Sequence, residues 1–468
     1  MYAIGIDIGT TSICGVVLDI DTGKVIKSRT EMSNAFITTS NSWEKMQDTN
    51  KVIDLAIEIL ESFSEYPAAV IGVTGQMHGI VYVDCEGKAV SPLYTWQDAR
   101  GNLPYRDTTY ADYLGSFSGY GNVTDFYNRI NHIRPAEAVS HCTIMDYLVM
   151  VLCGLKTPKI HTTNAASLGC FDLKEKRFSY DINAEISDSF EIAGYYKNIP
   201  VSVAIGDNQA SVFSTLADER DLLINVGTGS QISVISDQIR TGENIETRPY
   251  FDGKYLVVGA ALCGGRAYGM LKDFYTEFLQ AAGVSVPDVY AVMNRMLAGH
   301  AEEARRAESA GHAEEARRVE SAGHAEAARH TESAGHAEAA RHLKSALRVD
   351  TRFAGTRQNP RLRGSISEIS VDNFTPENLT CGFLEGMMEE LYEMYDRMGE
   401  KRINLVGSGN GIRKNKALVK IAERLFEGTL RIPAHTEEAA CGAALFGLVA
   451  CRAFLTAAEV QKLIRYEE

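Results

Sequence analysis

The sequence predicts an α/β protein of two duplicated domains around a central cleft, and three observations carry that expectation. Tyr2 to Arg29 alternates apolar and polar residues and reads as three strands joined at Gly9-Thr10-Thr11 and Asp21-Thr22-Gly23. The first hairpin has a gap-free echo: Ile6-Asp7-Ile8-Gly9-Thr10-Thr11-Ser12 lines up with Ile224-Asn225-Val226-Gly227-Thr228-Gly229-Ser230, and the agreement continues to Asp19 and Asp237. Arg402 to Val406 then reads as a short apolar strand running into Gly407-Ser408-Gly409-Asn410-Gly411, with a helical pattern from Asn415 to Phe426. One such hairpin could edge any sheet. Two with the same polar turn, far apart in the chain, indicate related domains that face each other.

Composition sets the outer bounds. With 468 residues, 45% of them hydrophobic and 23% charged, the chain suits a globular protein of two or three domains and excludes disorder or a small disulfide-stapled fold. Against 61 acidic residues stand 47 basic ones, and the net charge of −14 disfavours a dedicated nucleic-acid or anionic-membrane binder. The nine cysteines form no metal-spaced pair, and their odd number suggests reduced thiols in the cytoplasm. No apolar run approaches the roughly 20 residues of a membrane helix, and no signal region precedes the first strand. A homodimer is one expectation for the assembly.

The turns suggest what the domains face. Glycine admits close backbone approach, neighbouring hydroxyls and amides can surround a phosphate, and a strand-end Asp7 can hold magnesium through water. Either turn taken alone could equally be an ordinary hairpin turn. The strand, glycine turn and helix at Gly407 to Gly411 lack the G-x-G-x-x-G spacing of a dinucleotide fingerprint, so a nucleoside lying on the glycines is the better reading. No P-loop motif occurs.

A carboxylate stands at the end of the apolar run Ile199 to Ile205, in Gly206-Asp207-Asn208-Gln209-Ala210-Ser211. Asp207 could cap the helix that follows or accept the proton of an attacking hydroxyl. Gly75-Gln76-Met77-His78-Gly79, after the buried strand Val70 to Thr74, and Trp96-Gln97-Asp98-Ala99-Arg100 bring together amides, imidazole, carboxylate and indole, a set suited to a polyol. A structural histidine at 78 and a core tryptophan at 96 remain the plain alternatives.

In this order, these motifs resemble the FGGY carbohydrate kinases, which are built on the actin-like ATPase fold (ribonuclease H-like); the resemblance spans nearly the whole chain. Within the family, Thr95-Trp96-Gln97-Asp98, Asp146 to Leu155 and Asn164-Ala165-Ala166-Ser167 are similar to the sedoheptulokinase subgroup, whereas Asp207-Asn208 and Gly227-Thr228-Gly229 are generic. The resemblance implies residues 1–215 as an N-terminal domain and 216–468 as an ATP-binding C-terminal domain. Phosphates would meet Thr10, Thr11, Ser12, Thr228, Gly229 and Gly264, and adenosine would lie near Gly407, Ser408, Gly409, Asn410 and Asn415. Gln76, His78, Trp96, Gln97, Asp98, Asp207 and Gln209 would line the sugar; Asp7 and Asp207 would hold Mg2+, with Asp207 as general base. The implied reaction is transfer of a phosphoryl group from ATP to the terminal hydroxyl of a ketose, sedoheptulose first and xylulose or another pentulose or polyol second. The rival from another class is an inactive sugar-binding scaffold.

Residues 298–345 break the family pattern: four copies of a twelve-residue unit from Ala298-Gly299-His300 to Ala334-Gly335-His336 and beyond. Twelve residues advance a helix by about 120° beyond whole turns, so no apolar stripe persists. The segment reads as a tandem expansion forming a solvated helix or excursion; an interaction arm is the functional alternative. The spacing of His300, His312, His324 and His336 argues against metal binding. Beyond it, Phe374 to Met398 reads as a helix with Leu384, Met387, Met388, Leu391 and Met394 on its core face.

Overall fold

The computed structural model describes residues 1–286, 288–297, 347–356, 358–359, 361–399 and 402–467. The twelve-residue repeats, and every expectation attached to them, lie outside the described residues.

The amino-terminal hairpin forms as the alternation predicts: β1 (Tyr2–Ile8) and β2 (Ser12–Asp19) are antiparallel, and β3 (Val25–Met32) pairs with β2. After α1 (Thr49–Glu61), the buried run β4 (Ala68–Gly75) lies parallel to β1. Helix α2 (Ile144–Cys153) follows, then β5 (Ile192–Tyr196), β6 (Ile199–Ser202) and β7 (Ile205–Gly206). The sheet runs β5-β6-β4-β1-β2-β3, with β7 also alongside β4. The apolar run expected as one strand from Ile199 to Ile205 is broken between β6 and β7, where the Ala204 carbonyl turns to accept from the Asn164 side chain at 3.2 Å.

Helix α3 (Asp207–Thr215) leads to the second half. There β8 (Leu222–Val226) and β9 (Ser230–Ser236) form the echoed hairpin, followed by β10 (Ile245–Pro249), β11 (Tyr255–Ala261) and α4 (Gly264–Ala281). The long helix α5 (Pro376–Met398) begins after its cap, Thr375, and buries Leu384, Met387, Met388, Leu391 and Met394, so its methionines are packing residues. Then come β12 (Leu405–Ser408), α6 (Gly409–Lys414), α7 (Lys416–Leu425) and β13 (Leu430–Arg431). The helix expected from Asn415 is thus preceded by a short one; Asn415 leaves helical geometry and caps α7, accepting from Ala417 and Leu418 N–H at 3.1 Å each.

In the second sheet, β10-β11-β9-β8-β12-β13, the five strands β11-β9-β8-β12-β13 repeat β3-β2-β1-β4-β6 of the first in direction as well as order, while β5 and β10 extend opposite edges. β8 is antiparallel to β9 and parallel to β12, as β1 is to β2 and β4. In register, Asp7 faces Cys14 and Thr74, while Asn225 faces Gln231 and Ser408.

The halves are joined by the last long helix, α8 (Glu438–Ala450), whose sequence is apolar on all sides and which is correspondingly buried. It lies against the first sheet where Gly5 and Gly72 sit side by side on β1 and β4. A Cβ on Gly5 would come 1.8 Å from the Ala440 carbonyl oxygen, and one on Gly72 1.8 Å from that of Ala443, so this seat exists only with bare glycine. One apolar core then takes in Ala3 and Val70 of the first sheet, Phe213 of α3, Leu223 and Val406 of the second sheet, and Leu445 and Phe446 of α8.

Candidate active site

The first glycine turn is held by a ring of side chains. Thr10 accepts a hydrogen bond at its Oγ1 from the indole Nε1 of Trp96 at 2.9 Å, and the same hydroxyl lies 3.5 Å from Gln76 Oε1. Gln76 Nε2 donates to Gln47 Oε1 at 2.9 Å, and Gln47 Nε2 closes the ring on the Thr10 carbonyl at 2.6 Å. Residues read separately from sequence as phosphate-binding and sugar-binding therefore meet directly. Trp96 is 47% exposed, which rules out the core-residue alternative. Thr11 is exposed and Ser12 half-buried beside it.

The Asp98 carboxylate is turned inward. Its Oδ1 accepts from Arg100 N–H at 3.1 Å and Arg100 Nε at 2.7 Å, and its Oδ2 from Lys45 N–H at 3.0 Å and Arg100 Nη2 at 3.1 Å. Arg100 in turn lies over the Tyr94 ring at 4.4 Å. The group expected on the sugar is thus the buried anchor of the loop that presents Trp96 and the exposed Gln97. Gln209 is fully buried: its Nε2 donates to the Pro249 carbonyl at 3.0 Å, fastening α3 to the second sheet, while its Oε1 has no hydrogen-bond partner among the described residues.

His78 sits in the left-handed region at φ 75°. Its Nδ1 is 2.8 Å from the Ser167 carbonyl, which can only accept, so that nitrogen carries the proton. Its ring stacks on Tyr120 with centroids 4.3 Å apart.

Asp207 is the first residue of α3. The cap position belongs to Gly206 and no side chain caps this helix, so the carboxylate is not engaged as a cap. Burial raises the Asp207 pKa to about 6, against the opposing pull of the Arg248 guanidinium and the Asn208 N–H. Asp7, at the end of β1, is pushed to about 7 by burial first, then by the negative charges of Asp207 and Glu437. Beside Asp207, Asn208 reaches the second half twice: its Nδ2 donates to Gln231 Oε1 at 3.1 Å, and its Oδ1 accepts from Arg248 Nη1 at 3.1 Å. Arg248 is held by both carboxylate oxygens of Glu246.

The second glycine turn is built from main chain. Gly227 N–H donates to Gly229 O at 2.9 Å, and the first amides of α4 fold onto it: Gly265 N–H to Gly227 O at 3.1 Å and Arg266 N–H to Thr228 O at 2.9 Å. Gly264 stands at φ +28°, and a Cβ there would lie 2.4 Å from the Gly229 carbonyl carbon. Thr228 and Gly229 are exposed, while Ser230 Oγ at this junction is buried and finds no hydrogen-bond partner among the described residues. Of the carboxy-terminal set, Asn410 is exposed and Gly409 half-buried. Gly407 is buried within β12, Ser408 Oγ accepts from Asn225 Nδ2 at 2.6 Å, and Asn415 serves as the α7 cap.

Residues 2–105 match the N-terminal domain, and residues 222–451 the C-terminal domain, of the FGGY family of carbohydrate kinases. The chain belongs to that family. It is a sugar phosphotransferase with the actin-like α/β fold. The mouse sedoheptulokinase is 25% identical over 485 residues, covering 90% of this chain and 92% of the relative. The human sedoheptulokinase is 24% identical and covers 94% and 96%. Among solved structures, the xylulose kinase of Rhodospirillum rubrum superposes with a TM-score of 0.77 at 16% identity, covering 100% of this kinase and 93% of that chain. The glycerol kinase of Plasmodium falciparum with ADP gives 0.73 at 16% identity, with coverage of 100% and 93%. These two likenesses concern the fold. All nine cysteines of the kinase are free, and among the described residues no helix is long and apolar enough to cross a membrane.

Gln47, Gln231, Arg248 and Tyr120 escape sequence reasoning. Glu246 and Arg248 alternate on one strand face, a detectable charge signal; Gln47 carries none, since it stands outside every glycine motif.

Proposed function

We propose that this kinase transfers the terminal phosphoryl group of ATP to the terminal hydroxyl of a ketose, with sedoheptulose as the first candidate. The observation that carries the reading is Asp207: a carboxylate on the first turn of a helix, not used as its cap, next to a second acid and at the join of two matching glycine turns. The sedoheptulokinase relatives, aligned over nine-tenths of the chain, support that ketose over xylulose, for which the relative from Lactococcus lactis covers 51% of it.

In this reading the ketose lies beneath Trp96 and against Gln76 and His78, and ATP lies between the two turns. Asp207 Oδ accepts the proton of the terminal hydroxyl as its oxygen attacks the γ-phosphorus, and the bond from that phosphorus to the ADP oxygen breaks. Ser230 Oγ and the main-chain amides of the second turn supply donors for phosphate oxygens, and Asn410 with Gly409 borders the nucleoside. Asp7 and Asp207 suit a magnesium ion bound through water: each is raised by burial, Asp7 further by its neighbour, and a divalent cation would relieve that charge. Among the described residues no three His, Cys, Asp or Glu side chains are grouped as a direct metal site. When bound, Mg2+ would offset charge on the phosphoryl oxygens.

The test is ADP release by the purified chain with sedoheptulose, xylulose, ribulose and glycerol, and location of the new phosphate ester by phosphorus NMR. Sedoheptulose should give the highest kcat/KM, with phosphate on the terminal carbon. Equal rates on all four would remove the substrate assignment, and no release with any would remove the reaction.

A further inference from the structure

The strand carrying Gln47 touches both motif loops of the first half through different atoms. Met46–Gln47 is a two-residue strand antiparallel to Leu93–Tyr94, locked from behind because Asp48 caps α1 by accepting from Lys51 N–H. The Lys45 main chain holds the Trp96 loop: its carbonyl accepts from Thr95 N–H at 3.0 Å and Thr95 Oγ1 at 2.8 Å, and its N–H donates to Asp98. Two residues on, the Gln47 side chain holds the other loops. Its Nε2 donates to the Thr10 carbonyl in the glycine turn, and its Oε1 receives Gln76 Nε2.

Gln47 is fully buried, so both ends of its amide are removed from water and depend on these two partners. Each end has a distinct task. The Oε1 end orients Gln76, whose own Oε1 then faces the Thr10 hydroxyl; the Nε2 end fixes the peptide of Thr10 and so the direction of the turn amides. We propose that Gln47 is a positioning residue that sets the ketose side of the cleft with one end of its amide and the first phosphate turn with the other. This inference rests on the kinase reading above.

The two ends can be separated. Gln47→Glu keeps an oxygen for Gln76 Nε2 and, at a pH where its carboxylate is ionised, loses the donor to the Thr10 carbonyl, whereas Gln47→Leu removes both. With the ketose that the wild type turns over, Gln47→Glu should leave the ketose KM within about twofold and lower kcat about tenfold, as loss of one buried hydrogen bond allows. Gln47→Leu should lower kcat similarly and also raise the ketose KM about tenfold. Kinetic constants of the wild-type kind in both variants, or KM and kcat worsening together in both in proportion to a lower melting temperature, would overturn the inference. If Gln47→Leu fails to fold, the KM-against-kcat split in Gln47→Glu decides alone. A wild type without ketose-dependent ADP release would instead sink the kinase reading itself.

Discussion

The two glycine turns descend from one hairpin pattern, yet they are held in opposite ways. The first, at Gly9 to Thr11, is gripped by side chains: Gln47, Gln76 and Trp96 all end on Thr10. The second, at Gly227 to Gly229, is shaped by main chain and covered by the amino-terminal amides of α4. The same divergence runs through the strands beneath. Asp7 and Asn225 occupy equivalent register positions, but burial and then the charges of Asp207 and Glu437 raise the pKa of the acid to about 7, while the amide is tied to Ser408. Duplication has fixed the scaffold and left the chemistry to differ, with an acid at the end of the first strand of one hairpin and an amide at the same register in the other.

The comparison can be broken most severely at the acids. Asp207→Asn should lower kcat by about 10²- to 10⁴-fold with ketose KM nearly unchanged, as expected for removal of a general base. Asp7→Asn, which copies the second half's Asn225 into the first, should also cut kcat strongly while leaving the melting temperature equal or higher, because a buried charge disappears. Kinetics beside thermal melts would separate the two outcomes. Gly264→Val attacks the second glycine turn. A side chain there meets the Gly229 main chain, so ATP KM should rise at least about tenfold while ketose KM moves little, with a stability loss of about 1–3 kcal/mol from the strained backbone.

Below these in size comes the seat of α8. Gly72→Ala pushes a methyl into the Ala443 carbonyl and should destabilise the fold by about 1–3 kcal/mol, read from urea midpoints. The smallest effect concerns pH. Burial raises the pKa of Asp146, in the capping box of α2, to about 7 from a usual value near 3.8. The folded state therefore keeps this proton more tightly than the unfolded chain. The associated stability is fully present below about pH 4 and lost as pH rises toward 7. Asp146→Asn should flatten that stretch of a urea-stability profile between pH 4 and 7; an unchanged slope would show that the carboxyl is already ionised when folded.

Much of the architecture was legible because strand alternation and turn chemistry are local properties. Both hairpins, the buried strand β4 and the methionine-lined face of α5 follow from residues near one another in the chain. The site was legible by residue type but not by direction. Asp98 and Gln209 have the chemistry to bind a sugar, yet Arg100 claims the carboxylate of one and the Pro249 carbonyl the amide nitrogen of the other, partners whose approach depends on the fold. Gln47 was invisible for the converse reason: nothing in Met46-Gln47-Asp48 marks it until Thr10 and Gln76 arrive on either side. The glycine seat of α8 likewise depends on the pairing of Gly5 with Gly72 across strands, a register that no local pattern specifies.

That seat bears on how the protein is made. Ala3 and Val70 leave the ribosome well before their cover, Leu445 and its neighbours. During synthesis the first sheet must wait with an apolar face open until Glu438–Ala450 has emerged, so a premature stop before residue 438 leaves an exposed, aggregation-prone surface rather than merely a shorter chain.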